Sequence, residues 1–352
     1  MNLSEIAFKI VNDIIRVEAG HTVTVSAELY NVFDNNEPMA SIPFLEELAI
    51  AIRKTNCLPL IDISTERLHK RFFEEIADDN QELSTALFYK WLDGSDVFID
   101  LSWRSNPSFY KSIPERVFKR IKIVPKDFLK IFEEKNKKMI LLGYPTKGLA
   151  DYYKVDHQVL LETYISSLNI DYFSLKKRCL IFNNKMKESE IWTVSTENRI
   201  LQIELKSETN CQYGEFNNNN SIIILPTGTW QQEIKMSNLN GIIYLNNLYY
   251  EQYVWHNIQI VFDDGKITDV ETDMDQKGLN LLKTVLYSDI ESIILNIGLN
   301  EGIGKKSMYS LFDMTKNRAL SLIINTEKGQ VVALSEDAAL FESSENNVLY
   351  EV

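Results

Sequence analysis

The sequence predicts an α/β protein in two parts: an N-terminal doubly wound α/β domain over residues 1–185, then a mixed, mostly antiparallel α+β domain over residues 186–352. Three observations carry this. Helical apolar spacing alternates with short β-branched runs through the first half, as parallel crossovers require. From Glu190 onward short strands follow one another, and Asp263-Asp-Gly-Lys266 has the composition of a hairpin turn. A chain of 352 residues with 45% hydrophobic content also has material for about two cores.

Each element follows from its pattern. Ile6, Ile10, Val11, Ile14 and Ile15 share one face of a helix over Leu3–Val17, with Gly20 in its terminal turn. His21–Ala27 is a β-branched strand, and the helix Phe44–Lys54 leads to a second strand at Cys57–Ser64. The alternation continues through a helix at Glu82–Leu92, strands at Asp96–Leu101 and Ile121–Val124, a charged helix at Lys126–Lys137, a strand at Lys138–Gly143 and a helix at Val155–Leu168. In the second half, strands are expected at Ile191–Val194, Ile200–Leu205, Ser221–Leu225, Gly241–Leu245, Asn257–Phe262 and Ile267–Val270, with a helix at Lys277–Leu286. Ser221–Trp230 is the central stretch: an interior strand ends in a Pro-Thr-Gly turn and offers Thr229 at one end of a sheet.

Composition excludes several classes. The net charge of -13 opposes non-specific nucleic-acid binding, and the basic stretch Glu115–Lys122 interleaves apolar residues as a solvated face does. The longest apolar runs, such as Ile290–Leu295, are far short of the ~20 residues that span a bilayer. The N-terminus lacks a basic start followed by an apolar core, so a cytoplasmic protein without a membrane partner is expected. Cys57, Cys179 and Cys211 are odd in number and irregularly spaced, which suits reduced thiols.

Known catalytic patterns are missing. There is no glycine-rich phosphate cradle and no Gly-x-Ser-x-Gly elbow. His21, His69, His157 and His256 stand singly, without metal-ligand spacing; His256, after Trp255 at a strand entrance, is the one to watch. The acid pairs Asp263-Asp264 and Asp273 to Asp275 fall in turns.

Short motifs along most of the chain resemble one family. They are Val17-Glu-Ala-Gly-His-Thr-Val-Thr-Val, Leu58-Pro-Leu-Ile-Asp, Leu142-Gly-Tyr-Pro-Thr, Ile224-Leu-Pro-Thr-Gly, Val261-Phe-Asp-Asp-Gly-Lys-Ile-Thr and Ile297-Gly-Leu-Asn-Glu. Together they resemble the aminopeptidase T-like metallopeptidases, which are two-domain, usually dimeric, cytoplasmic enzymes. The resemblance implies a glutamate after the Leu-Pro-x-Gly turn, where this chain has Thr229. It implies a second glutamate at Ile294, a histidine at Ser321 and a later His-x-Asp pair with no counterpart in 329–342. Hydroxyls and an isoleucine cannot replace carboxylates and imidazoles at a paired divalent site. The iron-dependent ring-cleaving dioxygenases that resemble this family need the same kind of donors.

The expectation is a degenerate relative, a pseudoenzyme without metal or other cofactor, that binds a peptide or small molecule as a homodimer. The precursor of a ribosomally made natural product is one candidate peptide. The ligand-binding set is Thr227, Thr229, Trp230, Trp255, His256 and Ser321, near the aromatics Tyr244, Tyr249, Tyr250 and Tyr253. Two alternatives stay open: an enzyme rebuilt on Glu233, Glu251, His256 or Glu301, and a non-catalytic subunit of an active homologue.

Overall fold

A computed structural model describes residues 2–29, 41–65, 67–68, 71, 90, 92–102, 107, 132, 134–216, 221–251, 253–273, 275–304, 307, 309–335, 338–342 and 348–351. His69, the basic stretch Glu115–Lys122, the strand Ile121–Val124, the asparagine tract 217–220 and most of the helices expected at 82–92 and 126–137 lie outside these residues. The chain divides into two compact units, residues 1–169 with 214–226, and residues 170–213 with 227–352. The division therefore differs from the expected 185/186 boundary at two places.

The first unit opens with α1 (Leu3–Lys9), whose first turn is capped by the Asn2 side chain accepting from Glu5 N at 3.2 Å. It runs into a π-helical stretch, Ile10–Ile15. The five apolar residues expected on one face are all at most 1% exposed. Arg16, left-handed at φ 52°, ends the helix, and Gly20 sits in the turn that follows rather than in the helix cap. Next come β1 (Thr22–Leu29), α2 (Ile42–Lys54), β2 (Leu58–Thr65), β3 (Val97–Asp100) and β4 (Lys138–Leu141). The helix expected at 155–168 is α4 (His157–Leu168), capped by Asp156, and it is preceded by α3 (Lys147–Tyr153), which was not expected and which ends where Lys154 turns left-handed. Phe44 of α2 meets Tyr164 of α4 edge-on at 6.4 Å, and Tyr164 donates to Leu142 O at 3.1 Å, tying both helices to the end of β4.

The second unit begins with α5 (Tyr172–Met186), a helix that the sequence reading missed, and then β5 (Ile191–Thr196) and β6 (Arg199–Gln212). The chain next returns to the first unit for β7 (Ile222–Ile224), which pairs parallel with β4 through Ile140↔Ile223. This corrects the expected place of Ser221–Leu225 among the antiparallel strands. Ser221–Trp230 is not one strand but two, because Leu225–Gly228 separates β7 from β8 (Thr229–Ile234) and the two belong to different sheets. With β7 in place the first sheet has the order β2-β1-β3-β4-β7, every pairing parallel.

The remaining elements are β9 (Asn240–Tyr250), β10 (Tyr253–Asp263), β11 (Lys266–Thr272), α6 (Gln276–Leu286), β12 (Ile290–Gly298), α7 (Ser310–Asp313), β13 (Leu320–Thr326), β14 (Gly329–Ser335), β15 (Ala338–Glu342) and β16 (Val348–Glu351). All pairings of this second sheet are antiparallel, in the order β11-β10-β9-β14-β13-β12-β8-β6-β5-β15-β16. An additional β9–β6 pairing joins β9, β14, β13, β12, β8 and β6 into a ring. Closure leaves those six strands without a free edge. It depends on Gly241, at φ 121°, because a Cβ there would lie 2.3 Å from the Ile200 carbonyl oxygen on β6. Leu295, Leu322, Ala333 and Leu248 are register neighbours across four strands and are all 0% exposed. Each such leucine contributes about 2 kcal/mol of apolar burial. Among the described residues no helix is long and apolar enough to cross a membrane.

Candidate functional site

Neighbouring residues of a strand face opposite ways, so β12 places Ile293, Leu295 and Ile297 on one face and Ile294, Asn296 and Gly298 on the other. Register carries the second face across the sheet. Thr229 lies opposite Gly298, Gln231 opposite Asn296, Glu233 opposite Ile294, and Ser321 opposite Asn296 on its other side. It then continues from Ser321 to Leu334, from Leu334 to Asn247 and from Asn247 to His256.

Asn296 is the centre of this face and is 0% exposed. Its Oδ1 accepts from Gln231 Nε2 at 2.9 Å, and its Nδ2 donates to Ser321 Oγ and to the Met314 carbonyl, each at 2.9 Å. A buried amide saturated in this way is fixed in one orientation. Thr229 Oγ1 and Asn247 Nδ2 are buried without a hydrogen-bond partner among the described residues, while Asn247 Oδ1 sits 2.8 Å from His256 Nδ1.

The Pro-Thr-Gly turn before Thr229 is held by Asn300. Asn300 Nδ2 donates to Thr227 O at 2.7 Å, and Leu299 N donates to Gly228 O at 2.8 Å. Gly228, at φ 121°, lies so close that a Cβ would stand 2.9 Å from Asn300 Cβ. The segment after β12 then folds over the face, with the Lys316 carbonyl 2.0 Å from where a Gly298 Cβ would be. Asp313 pins that segment: its Oδ2 accepts from Tyr249 Oη at 3.0 Å, and its Oδ1 accepts from Ser307 N and Ser307 Oγ at 2.7 and 2.8 Å. Tyr249, Ala319, Val332 and Leu334, with Val254 and Met314 against them, fill the remaining space with apolar atoms.

Thr229 and Ser321 therefore lie on one buried face, and Thr227 is buried in the adjoining turn. His256 is exposed at its rim. Trp230 and Trp255, expected to line a ligand site, do not. Trp230 is 0% exposed, stacks edge-on with Phe182 at 5.2 Å and donates to Asn183 Oδ1 at 3.2 Å. Trp255 is 1% exposed and donates to Gly278 O at 3.2 Å. Strand alternation turns both indoles away from the neighbours that carry the polar face, Thr229 and His256, so they serve packing. Of the expected aromatics Tyr249 is also buried, on Asp313. The residues that the sequence reading missed are asparagines and a glutamine. Asn296 carried a signal: a polar residue inside the apolar run Ile293–Ile297 must be buried with partners.

The resemblance implies two metal ions, and the side chains at those positions do not fit them. Thr229 offers a neutral hydroxyl, Ile294 offers hydrocarbon, and Ser321 Oγ is already engaged by Asn296. The residues that could rebuild a donor set are dispersed. Glu233 is paired with Lys206 at 2.5 Å and Glu301 with Arg178 at 3.1 Å. Among the described residues no three His, Cys, Asp or Glu side chains gather to hold a metal ion.

No protein-family model and no curated protein matches the chain. Solved structures do. Wild-type AmpT from Thermus thermophilus superposes with a TM-score of 0.60 at 12% identity, covering 99% of this chain and 95% of that one. The 2,5-dihydroxypyridine dioxygenase of Pseudomonas putida superposes with a TM-score of 0.58, also at 12% identity and covering 99% and 95%. At this identity the likeness is one of fold, and both units of the chain are included in it. The chain has a fold that AmpT and this dioxygenase share.

Proposed function

We propose that this chain is a non-hydrolytic protein of the aminopeptidase T-like fold that binds a peptide or peptide-like ligand. One observation supports the reading above the others: the face where the resemblance implies charged metal donors is a closed, neutral network of Gln231, Asn296 and Ser321 beneath a packed segment. A water-activating centre needs anionic or imidazole donors that converge with an open position, whereas on this face Glu233 is paired with Lys206, His256 stands at the rim on Asn247, and among the described residues no three such side chains gather. Its role is support. Of the six residues in the expected set only His256 is exposed, and Asn247 orients its ring, so a ligand is met at this rim.

Isothermal titration with a peptide panel, including precursors of ribosomally made natural products, tests the reading. Saturable binding that EDTA leaves unchanged and that His256→Ala weakens about tenfold, ~1.4 kcal/mol, is expected. Flat heats across the panel, or release of amino acids from aminoacyl amides on addition of zinc or cobalt, would overturn it.

A further inference from the structure

The second unit holds a pair of thiols that the proposed binding role does not use. Cys179 lies on the buried face of α5 and is 0% exposed; Cys211 lies near the end of β6 and is half-buried. They are 32 residues apart in sequence but adjacent in space, with Cys211 Sγ donating to the Cys179 carbonyl at 3.6 Å. Neither is in a disulfide. We propose that Cys179 and Cys211 form a peroxide-sensitive dithiol that closes to an intramolecular disulfide, with Cys211 as the attacking sulfur and Cys179 as the resolving one.

The roles follow from the surroundings. Cys211 is the more accessible of the two, and a peroxide must reach the sulfur that it oxidises. A hydrogen bond from the Cys179 thiol holds the Cys211 thiol below its ordinary value, and the Lys187 charge acts in the same direction. The same hydrogen bond to Cys211, together with burial, pushes the Cys179 thiol up, so Cys179 keeps its proton. Cys57 is the internal control, since it is buried in the first unit with its thiol on the Glu18 carbonyl at 3.1 Å.

The chemistry balances with hydrogen peroxide as oxidant. The Cys211 thiolate attacks one peroxide oxygen, the O–O bond breaks, and the departing hydroxide takes up a proton to become water. The Cys179 sulfur then attacks the sulfenic sulfur of Cys211. The S–O bond breaks, and the hydroxyl leaves with the Cys179 proton as a second water. Two thiols have lost two electrons and one peroxide has gained them.

The disulfide would staple α5 to β6 at a sensitive place. One residue before Cys179, Arg178 donates to Leu299 O at 3.3 Å and pairs with Glu301, both in the segment that follows β12. Four residues after it, Asn183 holds the Trp230 indole, which lies opposite Cys211 in the β6–β8 register and next to Thr229. Oxidation thus fixes the helix that braces both the turn at Thr229 and the segment beyond Gly298.

The test is non-reducing peptide mapping of the full chain treated with hydrogen peroxide. A 179–211 linked peptide two hydrogens lighter than the sum of its parts is expected, with Cys57 unmodified. Cys179→Ser should instead leave a sulfenic acid on Cys211 that dimedone traps, and Cys211→Ser should slow peroxide consumption at least tenfold. Absence of the linked peptide from the wild-type protein, or oxidation of Cys57 as fast as Cys211, would overturn the proposal. The wild-type measurement does not depend on either variant folding.

Discussion

The two sheets of this protein handle polar side chains in opposite ways. The inner strands of the parallel sheet bury an almost continuous apolar run, with Val23, Val25, Val97, Phe98, Ile99, Ile140 and Ile223 all under 5% exposed, while its edge strand β2 leaves Leu58, Leu60, Ile61 and Ile63 exposed. The closed antiparallel ring instead alternates. Ile293, Leu295 and Ile297 fill one face of β12 while Asn296 and Gly298 occupy the other. That second face is also largely buried, and it carries amides and hydroxyls bonded to one another.

The largest expected effect comes from opening the ring. Gly241→Val drives a side chain into the Ile200 carbonyl at a positive φ and should cost about 4 kcal/mol in urea unfolding; a loss under ~1 kcal/mol would mean that closure at β9–β6 matters little. The parallel sheet should answer to Ile223→Ala, which removes a buried side chain from β7 at a cost of about 3 kcal/mol. Hydrogen exchange should then rise in β4 and leave the ring strands unchanged, and a uniform rise would show that the two units unfold together. Asn296→Ala strands Gln231 and Ser321 and should cost about 2 kcal/mol, distinguishing a structural network from an idle surface.

The smallest effect is one of pH. Glu204 on β6 is held below its ordinary value of 4.5, first by the hydrogen bond from Lys235 and then by that from Asn238. Its stabilising contribution is present above pH 4.5 and fades as the pH falls through the lower folded value. Glu204→Gln should lower stability slightly at neutral pH, converge with the wild type in acid and so flatten the acid limb of the stability profile; an unaltered limb would assign acid lability to other carboxylates.

How much of this was legible depends on the signal each element carries. The α1 stripe and the β9–β11 strands were readable because strict periodicity reports directly on which face is buried. α5 was missed although Tyr172, Leu175, Cys179, Phe182 and Met186 form one buried stripe, because Phe173, Leu180 and Ile181 lie exposed on the other side and blur it. The place of β7 could not be read, since three isoleucines between two turns specify a buried strand but not which sheet receives it. Thr229 and Ser321 were singled out only through the donors that the resemblance implies at their positions. Asn300 was not, because its role depends on the close approach of two distant segments.

The excursion of the chain to β7 has a consequence for its synthesis. The first unit cannot be completed as its own residues leave the ribosome, because its last strand is made only after α5, β5 and β6 of the second unit. Until residue 226 has emerged, β4 presents an unpaired strand edge. This nascent chain should need protection from aggregation for longer than one whose domains are laid down end to end.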